Sequence, residues 1–383
     1  MSERLQFIQA CLNRRESIVE ICARFGVSEK TGHKWLVRFQ REGPDGLTPR
    51  SHAAHTVPHR VAPGIVERIV ALRKQHPDYG APKLRDWLVQ HEPGTRWPAA
   101  STIGAVLLRA GLIRSRRRRG ATHTTLATGR TQASAPNVVW TADFKGEFRL
   151  TSGAWCYPLT VLDLHSHYLL GCQALGSVSV APTRAAFVQL FHTYGLPDVL
   201  RTDNGVPFGQ PNALGRLGAL GFWWVRLGIR PERIRPARPA ENGAHERFHK
   251  TLKAATTEPR APSFRAQQQR FVAFQQEYNH ERPHASLPAH APPAQLYTPS
   301  TRPYPTRLPR VQYPAGSELR RVMAQGSIRW RNAIIYLSSN LVGEHVLLSE
   351  TPTDLITVRY GSLALGELDP DTTTFLPRVR WVD

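Results

Sequence analysis

Trp140-Thr141-Ala142-Asp143-Phe144-Lys145-Gly146 is the stretch on which the reading of this chain turns. It continues a β-rich run that begins at Val138-Val139, and it sets an acid on that first strand. Two further segments repeat the device. Arg201-Thr202-Asp203-Asn204-Gly205 sets Asp203 at the end of a short strand, Val199-Leu200, and Glu241-Asn242-Gly243-Ala244-His245-Glu246-Arg247-Phe248 sets acids where a helix begins. Strand ends and helix starts are the usual place for a site in an α/β domain.

The surroundings predict such a domain. Phe144 to Leu150, Tyr157 to Leu164 and Tyr168 to Leu175 are β-rich with short turns. Ala181–Tyr194 has helical spacing with Phe187, Leu190 and Phe191 inside, and further helices are expected at roughly 211–221, 241–257 and 263–280. Three antiparallel strands, a helix, a strand and further helices make an α/β fold. Beyond a Pro-rich connector (Pro288 to Pro314), Ser327–Trp330, Ala333–Leu337, His345–Ser349, Leu355–Tyr360 and Leu363–Leu368 predict a small β-barrel.

The N-terminal third is helical. Leu5, Ile8, Cys11 and Leu12 mark one helix, and Ile18, Ile21 and Cys22 a second that ends at Gly26. Ser28 caps a third helix with Trp35, Leu36 and Phe39 inward. Two helices joined by a Gly-containing turn make a helix-turn-helix, with Lys30, Thr31, His33, Lys34 and Arg38 on the outer face of the recognition helix. A small bundle with a solvated charged face is the plainer alternative. A linker rich in Pro, Gly and His follows. The apolar stripes Ile65/Ile69/Leu72, Leu84/Trp87/Leu88 and Ile103/Val106/Leu107 then build a second unit of the same kind. Arg114, Arg116, Arg117, Arg118 and Arg119 crowd five guanidiniums into six residues, which repel unless phosphates neutralise them. They read as a phosphate-tracking connector, with a solvated linker or a localisation signal as alternatives.

Composition agrees with a polyanionic partner. The 383 residues carry 50 Lys and Arg against 29 Asp and Glu, a net charge of +21 spread over every segment. The four cysteines form no close pair and no zinc-finger spacing, and read as small buried hydrophobes in a reducing compartment. The charged N-terminus lacks a signal-peptide core, and no apolar run approaches the roughly 20 residues of a membrane helix. A soluble, cytoplasmic protein without a membrane partner is expected.

Acids in such positions suit one chemistry in particular. Transfer between phosphodiesters builds charge on the attacking and leaving oxygens, and two metal ions about 3.5–4 Å apart stabilise both. Magnesium is a hard ion that takes oxygen ligands, so carboxylates would hold it. Taken singly, Asp-Asn-Gly is most often a turn, and a Glu near a helix start is most often a cap.

Taken jointly, the Thr-x-Asp-Phe, Thr-Asp-Asn-Gly and Asn-Gly-x-x-Glu-Arg segments, the helix-turn-helix pair, and Tyr278-Asn279 followed by Arg282-Pro283-His284 resemble a bacterial insertion-sequence transposase of the retroviral-integrase superfamily. The resemblance covers nearly the whole chain. It implies a ribonuclease H-like fold, DNA cleavage and strand transfer, and two Mg2+ (or Mn2+) ions per site held by Asp143, Asp203 and Glu246. The family's glutamate follows the Asn-Gly pair, so Glu246 is the third acid and Glu241 a cap or neighbour. The 43 positions between Asp203 and Glu246 suit the bacterial branch, which inserts the stretch from Trp223-Trp224 to Arg230. Structural zinc is not expected, since the His/Cys module of retroviral integrases is missing. Where the family usually has Arg, this chain has His167.

Arg247, His249, Lys250 and Lys253 follow Glu246 at helical spacing and face either DNA phosphates or solvent. His245 reads as positional rather than as a proton shuttle, and Asp163 as a neighbour rather than a ligand. The C-terminal strands resemble the β domain of phage Mu-type transposases, with Arg320, Arg321, Arg329 and Arg331 as nonspecific DNA contacts. The expected domains are helix-turn-helix units at 1–50 and 60–113, a basic linker at 114–136, the ribonuclease H-like core at 137–298 and the barrel at 315–383. The expected partners are double-stranded DNA, as transposon ends and target, and further copies of the chain in a homodimer or larger assembly. A non-catalytic DNA-binding regulator and a nuclease that cuts without joining are the competing classes.

Overall fold

The computed structural model describes residues 3–49, 61–113, 130–210, 212–234, 243–351 and 354–382. The chain divides into two compact units, one ending at Ala62 and the other beginning at Pro63.

The first unit holds α1 (Glu3–Leu12), α2 (Ile18–Arg24) and α3 (Glu29–Glu42). A capping box starts α2: the Ser17 hydroxyl accepts from the Glu20 amide, and the Glu20 carboxylate accepts from the Ser17 amide. Gly26, at φ +64°, makes the turn, and Ser28 caps α3 by accepting from the Thr31 amide at 3.3 Å. Leu12 of the expected stripe is exposed. Phe7 fills the centre instead, with its ring edge-on to Phe25 and Trp35 at 5.6 and 5.4 Å. α3 lies so close that a Cβ on Gly32 would sit 2.5 Å from the Cys22 sulfur.

The second unit opens with α4 (Pro63–Gln75), α5 (Ala81–His91) and α6 (Ala100–Arg109). Ile69, Leu72, Leu84, Leu88, Ile103, Val106 and Leu107 are buried as their spacing predicts, joined by Tyr79 and Trp97.

An α/β domain follows. It comprises β1 (Val139–Phe144), β2 (Phe148–Arg149), β3 (Trp155–Asp163), β4 (Leu169–Leu175), α7 (Val180–Tyr194), β5 (Val199–Thr202), α8 (Ala219–Arg226), β6 (Arg230–Arg233), α9 (Gly243–Thr256) and α10 (Phe264–His280). The strands β4-β3-β1-β5-β6 form one sheet, and β2 joins the start of β3. β3 is antiparallel to β1 and β4, whereas β5 and β6 run parallel to β1.

Two expectations are corrected here. The helix expected at 211–221 lies at 219–226, and the strand β6 was not foreseen, because Arg-Pro-Glu-Arg carries no β pattern. The stretch read as an insertion thus supplies a core helix and an edge strand. α8 is apolar and buried from Leu220 to Val225. Leu220, Trp223 and Trp224 pack under the sheet, while Phe222 and Val225 pack into the C-terminal strands.

Those strands are β7 (Glu318–Arg321), β8 (Ser327–Trp330), β9 (Ala333–Tyr336), β10 (His345–Glu350), β11 (Ile356–Tyr360), β12 (Leu363–Leu368) and β13 (Phe375–Trp381). They form an open sheet, β13-β12-β11-β10-β7, and a separate β8-β9 hairpin, with no pair joining β13 to β7 among the described residues. The expected barrel is therefore a sheet-rich region without closure. β7 and β13 escaped the sequence reading because both are largely exposed edges, β7 with one apolar residue and β13 interrupted by Pro377. No helix among the described residues is long and apolar enough to cross a membrane.

The Tyr-Asn…Arg-Pro-His segment closes α10 and serves packing. The Asn279 side chain donates to and accepts from the Leu169 backbone, at 2.9 and 2.8 Å, where the β3-β4 register shifts. Arg282, 5% exposed, pairs with Asp78 at 2.6 Å and lies over the Tyr79 ring, while the Tyr79 hydroxyl donates to Glu277. The second helical unit is fastened to the α/β domain through these groups.

Candidate active site

β1 and β5 lie side by side with Ala142 opposite Thr202. One residue further on, Asp143 and Asp203 occupy neighbouring positions at the C-terminal ends of parallel strands, where backbones are about 4.8 Å apart. Both are half-buried. The Asp203 carboxylate accepts from the Gly205 amide at 3.1 Å, so Asp-Asn-Gly is a turn as well as a site segment. Burial pushes the Asp203 carboxyl up, opposed by that amide and by the Arg233 guanidinium. Arg233 on β6 donates to the Thr202 hydroxyl at 2.8 Å, to the Asp203 carbonyl at 2.9 Å and to the Phe208 carbonyl. Burial brings its own pKa down to about 10.

Glu246 stands in the first turn of α9 and is exposed. Its neighbour His245 is fully buried and ties the helix to the sheet. The Thr160 hydroxyl donates to the Asp143 carbonyl at 3.0 Å, and the same oxygen meets His245 Nε2 at 3.0 Å and His249 Nε2 at 2.8 Å. A hydroxyl has one proton, already given, so both imidazoles must donate from Nε2. His245 Nδ1 then accepts from the Thr141 hydroxyl at 3.2 Å. Both rings are neutral: burial holds His245 well below the usual histidine range and His249 down to about 4. His245-Glu246-Arg247-Phe248-His249 has the spacing of a helical zinc motif, but here both rings are occupied by Thr160. His245 thus holds α9 to Thr141 and Thr160.

The donor chemistry at the strand ends is that of carboxylate oxygens, which suits a hard divalent ion. Extended by one residue, the β1–β5 register sets Asp143 and Asp203 at adjacent strand ends, while Glu246 stands on an exposed helix turn. Among the described residues no three His, Cys, Asp or Glu side chains are gathered closely enough to hold a metal ion.

The remaining candidates fall as follows. Asp163 is buried and structural, accepting from the Asn137 amide and from the Ser166 amide and hydroxyl at 2.6–2.8 Å. It pairs with Trp140, three residues from Asp143, and faces no site. His167 sits at φ +60° with its ring stacked on His284. Glu241, Asn242 and Arg114 to Arg119 lie outside the described residues. Arg247, Lys250 and Lys253 are exposed on α9, while Phe248 and Leu252 turn inward. Lys30, His33 and Lys34 are exposed on α3; Thr31 and Arg38 are half-buried, and the Thr31 hydroxyl meets that of Ser28 at 2.9 Å. Arg321, Arg329 and Arg331 are exposed, whereas Arg320 pairs with Glu318 at 2.5 Å. Sequence reading missed Thr160, Thr141 and Arg233. The i, i+4 spacing of His245 and His249 was the one signal that could have pointed to the first two.

Comparison with known proteins agrees with this architecture. Residues 3–55 match a family described as a helix-turn-helix domain, residues 31–107 a homeodomain-like domain, and residues 133–239 and 227–292 two families described as integrase core domains. The Gag-Pol polyprotein of baboon endogenous virus (strain M7) is 26% identical over 161 residues, which are 42% of this chain and 9% of that protein. The Pol polyprotein of feline endogenous virus ECE1 is 26% identical over 129 residues, 33% of this chain and 12% of that protein. The chain thus spans only about a tenth of the length of these relatives. Among solved structures, the HTLV-2 integrase catalytic core domain in complex with magnesium, in its trimeric form, aligns at 15% identity and TM-score 0.32, over 44% of this chain and all of that one. A simian T-cell lymphotropic virus intasome, in complex with the PP2A regulatory subunit B56 gamma, aligns at 14% identity and TM-score 0.36, over 82% of this chain and 99% of that one. The chain thus carries regions that match helix-turn-helix and homeodomain-like families, followed by regions that match integrase core domains.

Proposed function

We propose that this protein is a DNA transposase that binds transposon-end repeats, cleaves a phosphodiester there, and joins the freed 3′-hydroxyl to target DNA. The observation that carries the reading is the position of Asp143 and Asp203 at adjacent strand ends, with the Glu246 helix tied to β1 through Thr141 and to the neighbouring β3 through Thr160. Asp143 and Asp203 would hold Mg2+ or Mn2+, with Glu246 of α9 as the third acid of the set. Bound there, two divalent ions supply charge stabilisation for the attacking and leaving oxygens. The chain's own residues fix the geometry. Arg233 and the Gly205 amide orient the Asp203 segment, and the Thr160 bridge sets the height of α9 over β1. No side chain needs to attack DNA, since a hydroxyl from water or a 3′ end can serve as the nucleophile. Two ends must be held together, so an assembly of at least two copies is part of the reading.

The test is a strand-transfer assay on the full chain, with Asp143→Asn, Asp203→Asn and Glu246→Gln beside the parent. Each variant is expected to lose both cleavage and joining while keeping duplex binding. Variants that join DNA as well as the parent would overturn the mechanism. A parent that cleaves but never joins would make the protein a nuclease, and one that binds without cleaving would make it a regulator.

A further inference from the structure

A groove of about 740 Å3 opens beside the β1 end of the candidate site. Its volume is in the range of pockets that take small molecules, too small for a duplex and suited to a nucleotide or two. Lys145, Arg149, Lys250, Lys253 and Arg260 line it, against the carboxylates of Glu147 and Glu258. The excess of cations calls for an anionic ligand. Lys145 lies two residues beyond Asp143, and Lys250 and Lys253 follow Glu246 by four and seven positions, so the groove leads away from the acids along α9.

The floor is aromatic. Trp155, where β3 starts, is 43% exposed, and Phe148 stands nearby across the β2-β3 pair. The Arg149 guanidinium lies 4.7 Å from the Trp155 ring, and the Lys145 ammonium 5.3 Å from Phe148. An indole this exposed at a strand start gives little to the core.

We propose that this groove takes an unpaired stretch of DNA strand, with a base stacked on Trp155 and the neighbouring phosphates held by Lys145, Lys250 and Lys253. Aromatic platforms bordered by cations are how proteins hold single strands without reading sequence. The proposal deepens the transposase reading by giving the strand next to the reacting phosphodiester a place once its end frays, but it makes its own claim about binding.

The test is done on the full chain in EDTA, where no strand chemistry runs, with a fluorescent oligo-dT and a blunt duplex of unrelated sequence as probes. Trp155→Ala is expected to weaken oligo-dT binding about 5- to 100-fold, the range of a lost base stack, with Trp155→Phe close to the parent and the duplex affinity unchanged. Unchanged thermal unfolding of both variants confirms that the exposed position tolerates them. Oligo-dT binding equal to the parent's in Trp155→Ala would overturn the proposal. Equal losses for oligo-dT and duplex would overturn it too, in favour of a general phosphate surface. If Trp155-dependent binding is found in a parent that never cleaves DNA, the groove stands and the transposase reading falls. If the parent joins DNA ends while Trp155→Ala binds oligo-dT normally, the reverse holds.

Discussion

The helical unit at residues 3–49 and the one at 63–113 look alike in sequence, yet their charged side chains have opposite surroundings. In the first, the charges face outward: Lys30, His33 and Lys34 are exposed, and the Arg24–Glu16 pair, at 2.6 Å, is about half exposed on both sides. In the second, they face the α/β domain. Asp78 reaches Arg282, Tyr79 reaches Glu277, Asp86 meets His290 at 2.8 Å, and Gln90 donates to the His290 carbonyl at 3.2 Å. A three-helix unit can thus be a compact body by itself or part of the body that carries the site. What decides between them is where the polar groups at the helix ends find partners.

The largest expected effect comes from breaking the second arrangement. Arg282 is 5% exposed, and its removal takes from Asp78 the guanidinium it pairs with at 2.6 Å and from Glu277 a cation at 3.8 Å. Arg282→Ala should therefore destabilise the 63–383 unit by about 3–5 kcal/mol. Arg24→Ala in the first unit removes an exposed pair and should cost about 1 kcal/mol or less. Denaturant unfolding of the full chain reads both. If the Arg282 variant unfolds no earlier than the Arg24 variant, the junction is only a surface contact.

Acid should act on the same junction. Burial first, and then the charges of Lys83, His167 and Arg282, hold His284 down to about 3. Its pKa is depressed on folding, so its contribution is whole above the unfolded value near 6.5 and is lost as pH falls toward the folded value. Glu277 works in the same direction at lower pH. Burial raises its carboxyl, but hydrogen bonds from His76 and Tyr79 outweigh burial and keep it low. Between pH 7 and 4 the larger unit should lose about 3 kcal/mol through His284. His284→Asn should flatten that slope. A variant whose slope matches the parent's would place the acid sensitivity elsewhere.

The contrast also explains what could be read from sequence. Apolar stripes in both helical units and in α7 were legible because helix burial repeats every three to four residues, and most strands from β1 to β5 were legible as short β-rich runs bounded by turns. The two aspartates were legible because each sits where a strand pattern stops. β6, β7 and β13 were hidden, since Arg-Pro-Glu-Arg and Glu-Leu-Arg-Arg carry almost no apolar residues and β13 is broken by Pro377. The role of Trp223-Trp224 was hidden as well. A helix buried on every side looks like an insertion until the second sheet that covers it is known. The Thr160 bridge and the Asp78–Arg282 pair join residues 85 or more positions apart, and no local pattern encodes such a partner. Arg282 drew notice through the family resemblance, but its task did not follow from that.

The smallest effect sharpens the comparison most directly, because it asks which lysines a phosphate can reach. Lys34 is exposed on α3. Lys34→Ala should lower duplex affinity modestly and reduce the slope of log affinity against log salt by about 1, the signature of one lost phosphate contact. Lys83 on α5 is brought down to about 8, by burial first and the Arg282 charge second, with Asp78, Glu277 and Asp86 opposing. Its ammonium belongs to the junction, so Lys83→Met should leave the salt slope unchanged. The two slopes, measured on the full chain over the same salt range, separate a charge aimed at DNA from one aimed at the protein. An equal drop in both would mean that the second helical unit also meets DNA through the face assigned here to the α/β domain, and the division between the two units would fail.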